Sequence, residues 1–457
     1  MGKNLEGWRV KHVLMVSVAL NVWLMITLSY YEKENNFGTK NIFHGFCAEE
    51  KNLNDVVGFS SSSSAMVAAE VADEKGLKLI NSSNYSDDDD DDDRVVNLDH
   101  GDPTMYETYW QKAGDKSTVV ISGWQSMSYF SDVNNLCWFL EPTFAKEVVR
   151  LHKIVGNAVT EGRHLVVGTG STQLFQAALY ALSLDQTNLP ISVVSATPYY
   201  SFYRQVIEYL KSGLYKWAGD TANFNEDGPY IELITSPNNP DGFIRQPIVN
   251  RSGGMLVHDF AYYWPQYTPI TSPADHDIML FTVSKTTGHA GIRIGWALVK
   301  DKEIAKRMTK FIELSSIGVS KDSQLRAAKL LQVVSDSREN VSDFKKKDDF
   351  FEISNHLVAD RWKQLREAVN QSRMFSTPEF PLAYCKYTNR TFRTQPAFAW
   401  LKCEGEVEDC ESFLRKHKIL TRGGKHFGMS PKYVRISMLD RESNYDLFIK
   451  RLLTMHS

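Results

Sequence analysis

Lys285 stands where a lysine's charge is hard to keep. In Phe281-Thr-Val-Ser-Lys-Thr-Thr-Gly-His-Ala-Gly-Ile-Arg-Ile-Gly-Trp296 an apolar run ends at Ser284-Lys285. Small or flexible residues follow (Thr286, Thr287, Gly288, Ala290, Gly291), and a second apolar run begins after Arg293. This spacing predicts a tight turn between two buried strands. A buried ammonium is costly, so the pKa of such a lysine falls and its free amine becomes a nucleophile toward carbonyls. The Ser284 hydroxyl and the Arg293 guanidinium, eight residues past the lysine, suit a phosphate held beside that amine. An amine poised for an aldehyde next to a phosphate site describes pyridoxal 5′-phosphate (PLP). Taken alone, the motif also fits a surface lysine at a strand end with a structural arginine nearby, so the rest of the chain decides.

Three further stretches carry matching chemistry. Gly168-Thr-Gly-Ser-Thr-Gln173 follows a strand-like run and opens a helical one, so the backbone at Gly170 and the hydroxyls of Ser171 and Thr172 form an anion cradle at a positive helix end. It lacks the lysine of a P-loop and the spacing of a dinucleotide fingerprint. Ala196-Thr-Pro-Tyr-Tyr-Ser-Phe-Tyr203 offers an aromatic ring that could lie on a planar cofactor, although any one of its tyrosines also fits a core. Ser236-Pro-Asn-Asn-Pro-Asp-Gly242 is rigid turn chemistry with Asn239 free to bond a phenolic oxygen, and His258-Asp-Phe-Ala-Tyr262 places the Asp259 carboxylate where it could keep a pyridine nitrogen protonated.

The elements that must position these residues alternate. A helix with one apolar stripe runs from Glu141 to Val159, and then strands begin at His164, Ile191, Tyr230, Met255 and Met279 with helices between the earlier ones. Such alternation predicts a mostly parallel α/β sheet covered on both faces, which binds ligands at the carboxyl ends of its strands. Every candidate residue above follows a strand. Beyond Val299 the pattern changes to helices (302–314, 321–334 and a charged 340–369), then strands near Ala397 and Tyr433. Residues 141–300 are therefore expected to form the large, PLP-binding domain, and residues 95–140 together with 301–457 a smaller α+β domain.

Upstream, residues 13–29 form an apolar run preceded by Lys3, Arg9 and Lys11 and followed by paired tyrosines. With its flanks, residues 1–30, it predicts a membrane anchor at 12–30 rather than a cleaved signal, because no small-x-small site closes it. The positive flank favours a lumenal catalytic part, and the endoplasmic reticulum is the expected membrane. Residues 31–94, with a serine run and seven consecutive aspartates from Asp87 to Asp93, read as a disordered tether. Asn81 and Asn84 head glycosylation sequons. The net charge of -3 argues for no particular partner, and without a broad basic stripe nucleic-acid binding has little support. Five cysteines without a C-x-x-C pair suggest neither a disulfide framework nor a metal site, although Cys403 and Cys410 could pair in an oxidising lumen.

The order of these motifs on successive strands resembles the fold-type I PLP enzymes, and within them the plant tryptophan aminotransferase-related proteins of the alliinase C-terminal family. The resemblance spans roughly 97–457, through Gly168-TGSTQL, Thr197-PYY, Ser236-PNNPDG, His258-DFAYYWP, Ser284-KTTGHAGIRIGWA and Tyr433-VRISML. It implies that Lys285 bonds the cofactor aldehyde and Asp259 pairs with the pyridine nitrogen. It further implies that Asn239 and Tyr262 bond the ring hydroxyl, Tyr200 stacks on the ring, and Ser171, Thr172, Ser284 and Arg293 hold the phosphate. Arg435, with Asn239, would grip the substrate carboxylate. Tyr129 looks like the tyrosine that crosses to the neighbouring site of a homodimer. The implied reaction is transfer of the amino group from L-tryptophan to a 2-oxo acid, giving indole-3-pyruvate, a precursor of the hormone auxin. An alliinase-like C–S lyase acting on S-alkyl cysteine sulfoxides would use the same lysine and cofactor. The cysteine-rich module that precedes the catalytic part in alliinases is absent here, since residues 30–100 contain only Cys47.

Overall fold

Apolar runs too long to alternate in and out fit strands buried on both faces, and in the computed structural model they build one sheet. The structure describes residues 93–186, 190–339 and 348–455, all within the unit Ser86–Ser457. The chain lays down β1 (Val96–Asn97), the short helix Glu107–Ala113 and the helix Pro142–Val155. It then follows the order β2 (His164–Gly168), helix Gly170–Ser183, β3 (Ile191–Ser195), helix Ser201–Leu210, β4 (Tyr215–Asp220), β5 (Tyr230–Thr235), β6 (Gly254–Asp259) and β7 (Ile278–Thr282). A single helical turn, Val283–Thr286, leads toward β8 (Gly295–Val299). The sheet order is β2-β8-β7-β6-β5-β3-β4. It is parallel except for β8, which runs antiparallel to both neighbours.

Local rules explain both covering layers. Helix Pro142–Val155 starts with proline in its first turn, buries Phe144, Val148, Leu151 and Val155 along one stripe, and ends at Gly156 with φ 71°. On β8, successive residues face opposite ways. Gly295 faces helix Gly170–Ser183, so closely that a Cβ there would sit 2.7 Å from the Ser171 amide nitrogen. Trp296 faces the other layer, meeting Phe144 edge-on and donating its indole N–H to Nε2 of His152 at 3.0 Å. Helix Lys302–Ser316, capped by the Asp301 carboxylate on the Ile304 amide, packs on helix Gly170–Ser183.

Helices Lys321–Glu339 and Phe350–Ser372 follow, then β9 (Phe375–Ser376), β10 (Leu382–Cys385), β11 (Arg390–Arg393) and β12 (Phe398–Cys403). Helix Cys410–Lys416, β13 (Ile419–Leu420), β14 (Arg422–Gly423), β15 (Tyr433–Ser437) and helix Glu442–Thr454 complete the chain. β14-β15-β12-β9 form an antiparallel sheet, and β1 pairs in parallel with β13. A disulfide joins Cys403 to Cys410, while Cys137 and Cys385 are buried free thiols.

The structure departs from the sequence reading in places. The tight turn that bears Lys285 is a single helical turn, Val283–Thr286, between the buried strands β7 and β8. The stripe read from Glu141 to Val159 stops at Val155. The edge strand β4, mostly half-buried, and the hairpin β10–β11, mostly exposed, give no apolar run. The last long helix begins, among the described residues, at Phe350, where Asp349 caps the Phe351 and Glu352 amides. The anchor read at 12–30 and nearly all of the tether lie outside the described residues. Among the described residues no helix is long and apolar enough to cross a membrane, and no cluster could hold a metal ion.

Candidate active site

The parallel strands β5, β6 and β7 end side by side at Thr235, Asp259 and Thr282, with Thr235 in register with Asp259. Their carboxyl ends open into a cavity of about 160 Å³. Ser171, Thr172, Tyr200, Asn239, Asp259, Tyr262, Ser284, Lys285 and Arg293 all line it. Of the other residues singled out from sequence, Gly170 lies just behind Arg293, Arg435 reaches the cavity through Asn239, and Tyr129 is 69% exposed on the surface. A larger groove of about 1140 Å³ passes between the helices Glu107–Ala113, Phe350–Ser372 and Glu442–Thr454. It gathers no comparable chemistry, and charges along it pair with one another, as Arg441 does with Glu107.

Lys285 is held at both ends. Its carbonyl accepts from the Gln266 amide at 3.0 Å and the Tyr267 hydroxyl at 3.2 Å, and its Nζ donates to the Gly101 carbonyl. Burial pulls its pKa down to about 7, and the positive charges of Arg435 and Arg293 act in the same direction. Burial is the cause expected from the sequence; the nearness of Arg435 is added by the fold.

Asp259 is buried at the end of β6. One carboxylate oxygen accepts the Ala261 amide at 3.0 Å and the other accepts the Tyr203 hydroxyl at 3.0 Å. Burial nevertheless pushes its pKa up to about 6. Among the described residues no cation pairs with it, which suits a protonated ring nitrogen brought by a ligand. Asn239 donates to the Tyr262 hydroxyl at 3.2 Å. Burial lifts the Tyr262 phenol well above its ordinary value, so it stays protonated and able to donate.

The end of the cavity at Arg293 is shaped by a glycine. Gly170, at φ 74°, opens helix Gly170–Ser183, and a Cβ there would sit 2.6 Å from a terminal nitrogen of Arg293. Only glycine lets the guanidinium lie against the helix start, where amides already favour an anion. Arg293 also donates to Ser284 Oγ at 3.3 Å. The hydroxyls of Ser171, Thr172 and Ser284 and the Arg293 guanidinium thus share one end of the cavity, opposite in chemistry to Asp259. A planar, phosphorylated pyridine aldehyde fits this set.

Arg435, on β15, is almost completely buried. It donates to Asn239 Oδ1 at 3.2 Å and to the Asp99 carbonyl, lies 4.2 Å over the Phe398 ring, and leaves its Nε without a partner. Burial draws its pKa down to about 10. A buried guanidinium with an unspent donor is prepared for a carboxylate.

Sequence reasoning missed several contributors. Tyr203 has no role in the sequence reading; its hydroxyl bridges Thr235 Oγ1 at 2.8 Å and Asp259, and its ring meets Tyr200 edge-on at 5.3 Å. Thr235 and Thr282 line the cavity simply as the last residues of their strands, a position that could have marked them. Asp99 and Gly101 act through main-chain carbonyls, and no residue type announces that.

The comparisons with known proteins agree with this geometry. A family model described as Allinase, the alliinase C-terminal family, matches residues 96–456. The chain is 60% identical over 387 residues to Tryptophan aminotransferase-related protein 2 of Arabidopsis thaliana, covering 84% of this chain and 87% of the relative. It is 35% identical over 370 residues to Alliin lyase 1 of Allium sativum, covering 79% and 75%. Among solved structures, an aminotransferase from Staphylococcus aureus superposes with TM-score 0.54 at 19% identity over 79% of this chain and 93% of the other. A Thermus thermophilus aspartate aminotransferase double mutant gives 0.56 at 15% over 79% and 91%. These superpositions show a fold-type I aminotransferase-like α/β fold.

Proposed function

Because the chain belongs to the alliinase C-terminal family, whose cofactor is PLP, we propose that it is an aminotransferase converting L-tryptophan and a 2-oxo acid to indole-3-pyruvate and an amino acid, in auxin formation. The observation that carries this reading is the 60% identity to a tryptophan aminotransferase-related protein, against 35% to alliin lyases.

In this reading Ser171, Thr172, Ser284 and Arg293 would hold the cofactor phosphate, Asp259 its ring nitrogen, Asn239 and Tyr262 its hydroxyl, and Tyr200 one ring face. PLP, when bound, supplies an aldehyde for covalent capture of an amino group and a ring that spreads the charge left at Cα. The chain's own residues do the rest. Arg435 grips the substrate carboxylate and so fixes which Cα bond stands out of the ring plane. With a pKa of about 7, Lys285 Nζ carries a large neutral fraction at physiological pH, so it can take the Cα proton and later return one. Phe398, beneath Arg435 and in edge contact with Tyr262, gives the substrate side an apolar wall suited to an indole.

Two features outside the cavity belong to the same proposal. Residues 12–30 anchor the enzyme, with the endoplasmic reticulum as the membrane. Tyr129 crosses to a second copy of the chain; it sits among exposed Trp124, Met127, Phe130 and Val133, an apolar stretch that a homodimer would cover.

The deciding assay incubates the purified full chain, loaded with PLP, with L-tryptophan plus pyruvate or 2-oxoglutarate, and separately with an S-alkyl cysteine sulfoxide. Indole-3-pyruvate from the first mixture is the expected product. Pyruvate release from the sulfoxide without any oxo acid from tryptophan would overturn the reading in favour of a C–S lyase.

A further inference from the structure

Three Asn-x-Ser/Thr triplets lie wholly within the described residues, headed by Asn250, Asn370 and Asn389. Such a triplet accepts N-linked sugar where it is exposed and the chain enters an oxidising, lumenal compartment. The fold carries a marker of that compartment. The Cys403–Cys410 disulfide is of a kind that persists in oxidising surroundings and is rare in the cytosol.

Local structure separates the three. At Asn370 the helix Phe350–Ser372 runs through the triplet, and Ser372 is buried with its hydroxyl donating to the Val369 carbonyl at 3.2 Å. Asn250 is exposed in a loop, but the rings beside it, Phe224 and Tyr230, already lie under the Arg251 guanidinium. Asn389 closes the turn between β10 and β11 at φ 53°, a left-handed conformation that asparagine tolerates. Both Asn389 and Thr391 are exposed. β10 and β11 form a two-stranded sheet of their own, a unit that is marginal without cover, and it leaves Leu382 62% and Tyr384 53% exposed.

Register gathers the parts. Tyr384 lies directly opposite Thr391, so the two side chains project from one face. The Tyr384 hydroxyl donates to Asn389 Oδ1 at 3.1 Å, which occupies the amide oxygen and leaves Nδ2 without a partner among the described residues. An acceptor nitrogen, the hydroxyl two residues on and an open aromatic face thus lie together. The weakly positive C–H groups of a sugar suit the negative face of a phenol ring.

We propose that Asn389 carries an N-linked oligosaccharide whose first sugar rests on Tyr384. The donor class is a lipid-pyrophosphate oligosaccharide. The bond from sugar C1 to the pyrophosphate oxygen breaks and its electrons leave with the lipid pyrophosphate, while C1 bonds to Nδ2 and Nδ2 gives up one proton. The proposal requires the catalytic part to face the lumen and does not depend on the aminotransferase reading.

The test expresses the full chain in a eukaryotic host and digests the isolated membranes with a peptide N-glycosidase in heavy-oxygen water. Mass spectrometry should recover position 389 as heavy-labelled aspartate. Thr391→Val should abolish the label, Thr391→Ser should keep it, and tryptophan turnover should be the same in both. An unlabelled Asn389 overturns the proposal in either redox state: with Cys403 and Cys410 paired the lumen was reached and the hairpin was refused, and with both thiols free the compartment is wrong. Amide hydrogen exchange in β10 and β11 should be about threefold or more faster in Asn389→Gln than in the glycosylated chain, the size of one contact with an aromatic face. In a Tyr384→Thr background that difference should vanish. Equal exchange with and without the glycan would overturn the seat on Tyr384.

Discussion

The hydroxyl of Tyr203 donates a 3.0 Å hydrogen bond to the Asp259 carboxylate while its ring rests edge-on against Tyr200. One phenol therefore ties the residue suited to the ring nitrogen to the residue suited to the ring face. In Tyr203→Phe the packing stays and the bond is lost. With one fewer donor to its charged form, Asp259 should rise further above its pKa of about 6. We expect cofactor affinity to fall about tenfold and the pH below which cofactor dissociates to move upward. Equilibrium dialysis across pH reads both; an unchanged affinity and pH profile would count against the link. Asp259→Ala should cut turnover by about a hundredfold or more.

Lys285 should take up cofactor in a pH range unusual for a lysine. The rate of borohydride-trappable uptake is expected to rise through a midpoint near 7 rather than the ordinary 10.5. In Arg435→Gln one repelling charge is gone, the ammonium is favoured, and the midpoint should move up. Lys285→Ala should trap nothing at position 285 and lose turnover. Mass spectrometry of the trapped peptide checks the site, and trapping on a different lysine defeats the assignment.

Gly170→Ala should act on the phosphate end without touching it directly. The new methyl meets Arg293 at 2.6 Å on a backbone at φ 74°, a conformation that costs alanine about 1 kcal/mol or more. Displacement of the guanidinium should weaken cofactor binding about tenfold to a hundredfold. If PLP binds the variant as tightly as the unaltered chain, the cradle does not depend on this close approach.

The cofactor-free protein should be acid-labile. Burial draws His152 and His289 down to about 4 and His258 to about 3. The His258 ring nitrogens have no partner, and its ring stacks on His276 at 3.6 Å. Each group has a folded pKa below its unfolded value near 6.5, so the unfolded chain binds protons that the folded chain refuses, and stability falls as pH drops from about 6.5 toward 4. Asp259 and Glu232, raised by burial, work the other way between their unfolded and folded values, but four imidazoles, His276 being lowered as well, oppose these two carboxylates. Thermal unfolding should show a melting temperature several degrees lower at about pH 4.5 than at about pH 7.5. A higher one at acid pH would refute the balance.

The sequence made legible whatever depends on residue type at a fixed spacing. Lys285 with Ser284 and Arg293, Asp259 and Tyr262 after β6, and Asn239 in its proline-bounded turn all line one cavity because strand ends in a parallel sheet share one edge. It hid whatever depends on partners distant in the chain. Nothing in Asp99-His-Gly101 signals that these carbonyls meet Arg435 and Lys285. β4 and the β10–β11 hairpin were illegible for a different reason: half-buried and exposed strands owe their place to neighbours rather than to an apolar pattern.

The two walls of the cavity differ in how they are fastened. The connection bearing Ser284, Lys285 and Arg293 is closed at its base by the Val283 amide on the Ile294 carbonyl at 3.0 Å, between paired strands on either side. The facing segment is tied by main-chain bonds at Val96, Leu98 and Met105. Between them its carbonyls at Asp99 and Gly101 are held by Arg435 and Lys285 themselves. Those are the side chains proposed to take the substrate carboxylate and the cofactor aldehyde. A ligand that took over Arg435 and Lys285 would free both carbonyls at once, leaving His100 and Thr104 on Asp440, and Asp99 on Arg422, as side-chain ties of that stretch.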